Sequence, residues 1–169
     1  MSQAPFPTNQ DLDAAQLRRA FGIFPSGVVA VAAVVDGVPV GLAASSFRSE
    51  SLDPPLVSFS IAATSKTWPD LRRAGRLGVT VLAEHHGAVA SQLSGEPARR
   101  FEGILTSASD KGALVIEDGI ARFDTEIHRE VEAGDHIIVL LEVKAVEHPD
   151  AGQPLVFHRS SFGRLATPA

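Results

Sequence analysis

The sequence predicts a mainly antiparallel β domain with helical additions in its connections. Three observations carry that expectation. Short apolar or alternating segments recur along the chain, separated by turn residues. The clearest of those turns, Asp36-Gly37, joins two apolar runs, 28–35 and 38–43, and Asp-Gly in that setting is the strongest short hairpin signal. Third, none of the 14 glycines falls in G-x-G-x-x-G or G-x-x-x-x-G-K-[ST], and G-x-S-x-G is also missing. A Rossmann sheet, a P-loop fold and an α/β-hydrolase therefore have no sequence support. Hairpin-linked strands with a few helices indicate a Greek-key-like antiparallel barrel.

Taken in order, residues 1–10 form a flexible arm and 11–169 one domain. A helix is expected over 12–21, with Asp11 or Asp13 as N-cap and Leu17, Ala20 and Phe21 on one face; Gly22 and Pro25 stop it. After the hairpin, 56–61 is a third strand. Thr64-Ser65-Lys66-Thr67-Trp68-Pro69 starts a helix that runs to Gly75, because hydroxyl caps precede a first-turn proline. Residues 77–82 form a fourth strand, followed by short helices over 88–93 and 98–102, closed by Gly95 and Gly103. In 120–131, apolar Phe123, Ile127 and Val131 alternate with polar neighbours, so this strand has one wet face. Ala133-Gly134-Asp135 turns the chain into a long strand, 136–147, and 154–158 is the last.

Composition narrows the function. A chain of 169 residues with 44% hydrophobic and 21% charged residues buries a full core. A net charge of −5 argues against nucleic acid, which needs a basic face. With no cysteine there is no disulfide, thiol nucleophile or thiolate metal site. The first residues carry no secretory signal, and the longest apolar run, 28–35, is too short to span a bilayer. A soluble cytoplasmic protein without a membrane partner is expected.

Candidate binding groups lie in a few places. Residues 39–60 carry Ser45, Ser46, Ser49 and Ser51 with Arg48, then Asp53-Pro54-Pro55, which excludes helix and forces a turn. Such a connection either presents donors to a phosphate or heterocycle, or is an ordinary polar loop. Ser65-Lys66-Thr67 at a helix start either receives an anion or merely caps. Arg100, in Arg99-Arg100-Phe101, either meets a phosphate or is solvated. His85 and His86 lack ligand-spaced partners, so no metal site is expected, and His128 falls on a wet strand face.

The order of these pieces resembles the flavin reductase family, FMN-binding split β-barrel proteins that serve two-component monooxygenases. The residues that carry the resemblance are Asp36-Gly37-Val38-Pro39-Val40-Gly41, Ser46-Phe47, Ser49-Glu50-Ser51-Leu52-Asp53-Pro54-Pro55-Leu56, Pro25-Ser26-Gly27, Arg100-Phe101, Gly134-Asp135-His136 and Pro154-Leu155-Val156-Phe157-His158. The match extends from about residue 17 to 165. It implies that Ala43, Ala44, Ser45, Ser46, Phe47, Ser49 and Ser51 line the flavin. Ser65, Lys66, Thr67 and Arg100 would join them, with Ser26 and His158 nearby. His136 would sit beside the nicotinamide as the catalytic position.

The implied activity is NAD(P)H-dependent flavin reduction, with hydride passing from NADH or NADPH to FMN or FAD. Reduced flavin then leaves for a partner monooxygenase, and homodimers are usual in the family. The other reading is a split-barrel module that binds flavin or another cofactor without NAD(P)H turnover. This chain departs from the family pattern in several places. Ser45 stands where asparagine is frequent, and Glu50 where a small apolar residue is, so Glu50 is expected to point outward. Phe157 replaces a tyrosine and Ser160 a glycine.

Overall fold

The computed structural model describes residues 12–149 and 152–166, so the arm expected at 1–10 lies outside the described residues. Helix α1 spans Ala14–Phe21; its N-cap is Asp13, whose carboxylate accepts from Gln16 N at 2.7 Å. β1 (Ser26–Gly27) precedes the hairpin of β2 (Val29–Val35) and β3 (Val38–Ala44). Asp36 and Gly37 both take positive φ, 51° and 80°, as the mirror-image turn of a two-residue hairpin requires.

β4 (Arg48–Leu52) and β5 (Pro55–Ala62) follow, so part of the serine-rich stretch is a strand rather than a loop. Asp53-Pro54 folds it back on β5, and its polar side chains suit an edge position. Glu50 is the extra residue of a bulge there, and its carboxylate accepts from Ser58 Oγ at 2.6 Å.

The helix expected up to Gly75 is a single turn, α2 (Trp68–Leu71). Trp68 and Leu71 anchor it, with Trp68 edge-on to Phe59 at 5.8 Å, and the chain then leaves directly for β6 (Leu77–Val81). A 3₁₀ turn, Glu84–His86, leads into α3 (Gly87–Leu93). The second short helix expected here is only the 3₁₀ turn Pro97–Arg99. A small hairpin, β7 (Thr106–Ala108) and β8 (Leu114–Ile116), has no counterpart in the sequence reading. Long β9 (Ala121–Ala133) and β10 (His136–Glu147) follow, and a terminal hairpin, β11 (Leu155–His158) and β12 (Ser161–Arg164), ends the described chain.

Seven strands form one antiparallel sheet in the order β3-β2-β6-β9-β10-β5-β4. A second sheet, β1-β11-β12, covers one end. β2 is buried on both faces, which explains its unbroken valine and alanine run. Its odd residues, Val29, Val31 and Ala33, enter the main core with Phe59, Leu77, Val79, Val139 and Leu141. Val28 and Ala30 face a second core with Leu82, Leu93, Ile116 and Leu155. Buried hydroxyls are paired: Thr125 Oγ1 donates to Leu77 O at 2.8 Å, and Thr80 Oγ1 accepts from Ile116 N at 2.9 Å.

The expected alternation of β9 holds only in part. Phe123 and Ile127 pack on the main core, but Val131 is 38% exposed. The register skips His128, pairing Ile127 with Leu141 and Arg129 with Leu140. One extra residue moves every later side chain to the other face, so Val131 turns outward.

Candidate functional site

A groove of about 700 Å³ opens where the end of β3 meets β5, the lead into α2, the end of α3 and the first residue of β10. Its walls are Leu42, Ala43, Ala44, Ser45 and Ser46; Ser60, Ile61 and Ala62; Ser65, Lys66 and Thr67; and Leu93, Ser94, Pro97, Arg100 and His136. An apolar floor with a few converging polar groups, at this volume, is the usual make-up of a cofactor site.

Much of the wall is held by its own hydrogen bonds. Ser46 Oγ accepts from Ser60 N at 2.9 Å and donates to Ser60 O at 3.2 Å, tying the link between β3 and β4 to β5. Ser65 Oγ accepts from the amides of Thr67, 3.3 Å, and Trp68, 3.2 Å. The expectation of open helix N–H groups for an anion is corrected here: the helix is one turn long, and Ser65 already meets its first amide and that of the N-cap Thr67. Thr67 is buried, and its Oγ1 accepts from Arg100 Nη1 at 2.8 Å.

Arg100 reaches into the wall from the loop after α3. Nη1 also donates to Gly41 O at 2.8 Å, and Nε donates to Gly95 O at 3.0 Å. Burial lowers its pKa, since a cation loses hydration there, yet a guanidinium stays protonated. No carboxylate pairs with it among the described residues. Lys66 adds an exposed ammonium nearby. The cationic side of the groove is therefore Lys66 and Arg100.

His136 opens β10, and its Nδ1 lies 2.7 Å from Asp135 Oδ1. The hydrogen bond and the charge of His136 hold the Asp135 carboxyl below the usual carboxylate range. A carboxylate accepts only, so in the neutral ring Nδ1 carries the proton and Nε2 keeps the lone pair.

The structure brings together Ala43, Ala44, Ser45, Ser46, Ser65, Lys66, Thr67, Arg100 and His136 from the sequence reading. Five other residues do not line this groove. Phe47 packs on the main core and meets the Phe123 ring at 5.8 Å. Ser49 and Ser51 belong to β4, paired across from Val57 and Leu56. Ser26 pairs with Phe157 in the small sheet, and His158 ends β11, exposed, opposite Ser161. Glu50 is likewise off the groove wall, on Ser58.

Sequence reasoning missed Leu42, Ser60, Ile61, Ala62, Leu93, Ser94 and Pro97. Ser60 had a signal, a hydroxyl every second residue in an otherwise apolar strand (Ser58, Ser60). Leu93 and Ser94 reach the groove only because α3 crosses β3, which no local pattern reveals.

Comparison with known proteins agrees with this architecture. Residues 21–166 match the flavin reductase like domain family. A flavin reductase of Pseudomonas putida is 36% identical over 156 residues, covering 92% of each chain. The reductase subunit of a flavin-dependent monooxygenase from Rhodococcus jostii is 31% identical, covering 89% of this chain and 77% of that protein. An NADH:FAD oxidoreductase of Streptomyces globisporus, solved with NAD and FAD fragments, superposes with a TM-score of 0.87 at 33% identity, covering 93% of this chain and 95% of that one. Sequence and overall superposition agree, and the chain belongs to the flavin reductase like domain family, with its split-barrel fold.

Proposed function

We propose that the protein is an NAD(P)H-dependent flavin reductase that passes hydride to FMN or FAD and hands the reduced flavin to a partner monooxygenase. The observation that carries this reading is the convergence of Ala43–Ser46, Lys66, Arg100 and His136 on one groove. The groove residues fit a flavin. Leu42, Ala43, Ala44, Ile61 and Ala62 supply apolar surface for a flat ring, and Lys66 and Arg100, neither paired with a carboxylate among the described residues, supply positive charge for its phosphate.

When bound, the flavin supplies the redox chemistry by accepting hydride from the nicotinamide. The chain's own part is placement. The Ser46–Ser60 pair fixes one wall, and Arg100 ties β3 to the lead into α2, so the groove's shape is held by the chain's own hydrogen bonds. Asp135 orients the His136 ring, and we assign Nε2 of that ring to positioning the dinucleotide. No proton transfer by the protein is needed for hydride transfer itself.

We also infer a homodimer, a common solution for apolar side chains exposed on a sheet: Val131 on β9, Val146 on β10 and Leu52 on β4 are all more than a third exposed. No helix among the described residues is long and apolar enough to cross a membrane.

Aerobic NADH and NADPH oxidation with added FMN or FAD tests the reading. Oxidation that saturates with flavin and collapses in His136→Ala supports it. Bound flavin with no oxidation by either dinucleotide selects a flavin-binding module instead.

A further inference from the structure

We infer that Gln92, which lies outside the groove, is a positioning residue for Arg100 and through it sets the preference for a phosphorylated flavin. The inference rests on the reading of Arg100 given above. Gln92 sits half-buried on α3. Its Nε2 donates to Arg99 O at 3.0 Å and Glu102 O at 2.8 Å, with Arg100 O at 3.3 Å. Three carbonyls around one nitrogen fix the amide's orientation, because the flipped form would set Oε1 against three oxygens. The turn so gathered belongs to no sheet; it is held by short-range backbone bonds (Arg99 N to Glu96 O at 3.0 Å, Glu102 N to Arg99 O at 3.2 Å) and by Phe101 on the second core, and Gln92 is the side chain of α3 that ties three of its carbonyls to that helix.

That turn delivers Arg100. From it the guanidinium reaches back to Gly95 O in its own loop and across to two other segments, through Gly41 O and Thr67 Oγ1. Those bonds use Nε and Nη1, which leaves Nη2 without a hydrogen-bond partner among the described residues. A fixed, half-buried cation with no carboxylate is costly until an anion meets it, and the fork geometry matches phosphate. Moving the Arg99–Glu102 turn by an ångström takes Nη2 out of register while leaving the apolar floor untouched.

Equilibrium titrations with FMN and with riboflavin, which differ only in the phosphate, test this. Wild type is expected to hold FMN at least about tenfold more tightly than riboflavin. Arg100→Met should remove most of that ratio, Lys66 keeping the remainder. Gln92→Leu should lower it several-fold with riboflavin affinity unchanged, and adding it to Arg100→Met should cost nothing more. Gln92→Glu, which keeps the shape and removes both donors, gives the same readout if the leucine variant does not fold. A full FMN preference in the Gln92 variants, or a proportional loss of both ligands, overturns the inference while Arg100 stands. A wild type that binds both equally overturns the Arg100 reading itself.

Discussion

The hydroxyl of Ser46 takes the place of a strand partner for Ser60, accepting from its N–H at 2.9 Å and donating to its carbonyl at 3.2 Å. One side chain thus continues the β5 edge just where the main chain leaves β3 to reach β4. The same oxygen is committed to the protein's own backbone, so Ser46 shapes the groove more than it offers a donor. Ser46→Ala should leave a half-buried N–H and C=O unpaired and cost about 1–3 kcal/mol in chemical denaturation. Flavin affinity should fall with it, whereas Ser45→Ala, exposed and without such a bond, should leave stability unchanged.

Gly41 lies where β3 passes β2 and the Phe101 ring. A Cβ there would stand 2.7 Å from Ala32 Cβ and from Val31 O, and 2.8 Å from Phe101 Cζ. Two of those atoms are fixed in the sheet, and Gly41 O also receives Arg100. Gly41→Ala should therefore cost roughly 1–3 kcal/mol in denaturant and weaken flavin binding together. Gly27→Ala, with nothing within 4 Å, is the control and should be nearly neutral.

His86 is buried and accepts from Ala83 N at 3.1 Å through Nδ1, closing the first turn before α3. Burial, and then the neighbouring His85, push its pKa below the ordinary 6.5; Asp118 opposes that. Between the lowered folded value and 6.5 the unfolded chain binds the extra proton, so stability should be lost as pH falls below about 6.5. His86→Gln keeps an acceptor for Ala83 and removes the titration. Melting temperature against pH should be flatter below about 6.5 in this variant than in wild type.

Arg159 and Ser160 turn the last hairpin with φ of 48° and 62°. That conformation disfavours any residue with a Cβ, which accounts for glycine in the family at the position of Ser160. Ser160→Gly should stabilise the protein by about 1 kcal/mol, read as a higher denaturation midpoint, with no change in NAD(P)H turnover.

The hairpin at Asp36-Gly37, the long β9–β10 pair and the grouping of Ser45, Ser46 and Ser65 with Lys66, Arg100 and His136 were legible because turn chemistry, alternation and motif order act locally; Ser26, Ser49 and Ser51, expected with them, lie on β1 and β4 instead. The strand Arg48–Leu52 was not legible, because an edge strand with both faces polar carries no apolar period. The outward turn of Val131 was hidden because a bulge at His128 depends on the register of the partner strand, not on β9 alone. The early end of α2 follows from how Trp68 and Leu71 seat on the core, where capping residues signal only a start. Gln92 escaped because its partners are main-chain carbonyls up to ten residues away.

The most direct test of the groove as the site of hydride transfer is anaerobic rapid mixing of flavin-loaded protein with NADH or NADPH, following loss of oxidised-flavin absorbance. Wild type should be reduced with a rate that saturates in the dinucleotide. His136→Ala should be reduced at least about tenfold more slowly at an unchanged melting temperature, a barrier increase of ~1.4 kcal/mol. Equal rates in wild type and His136→Ala would contradict the account.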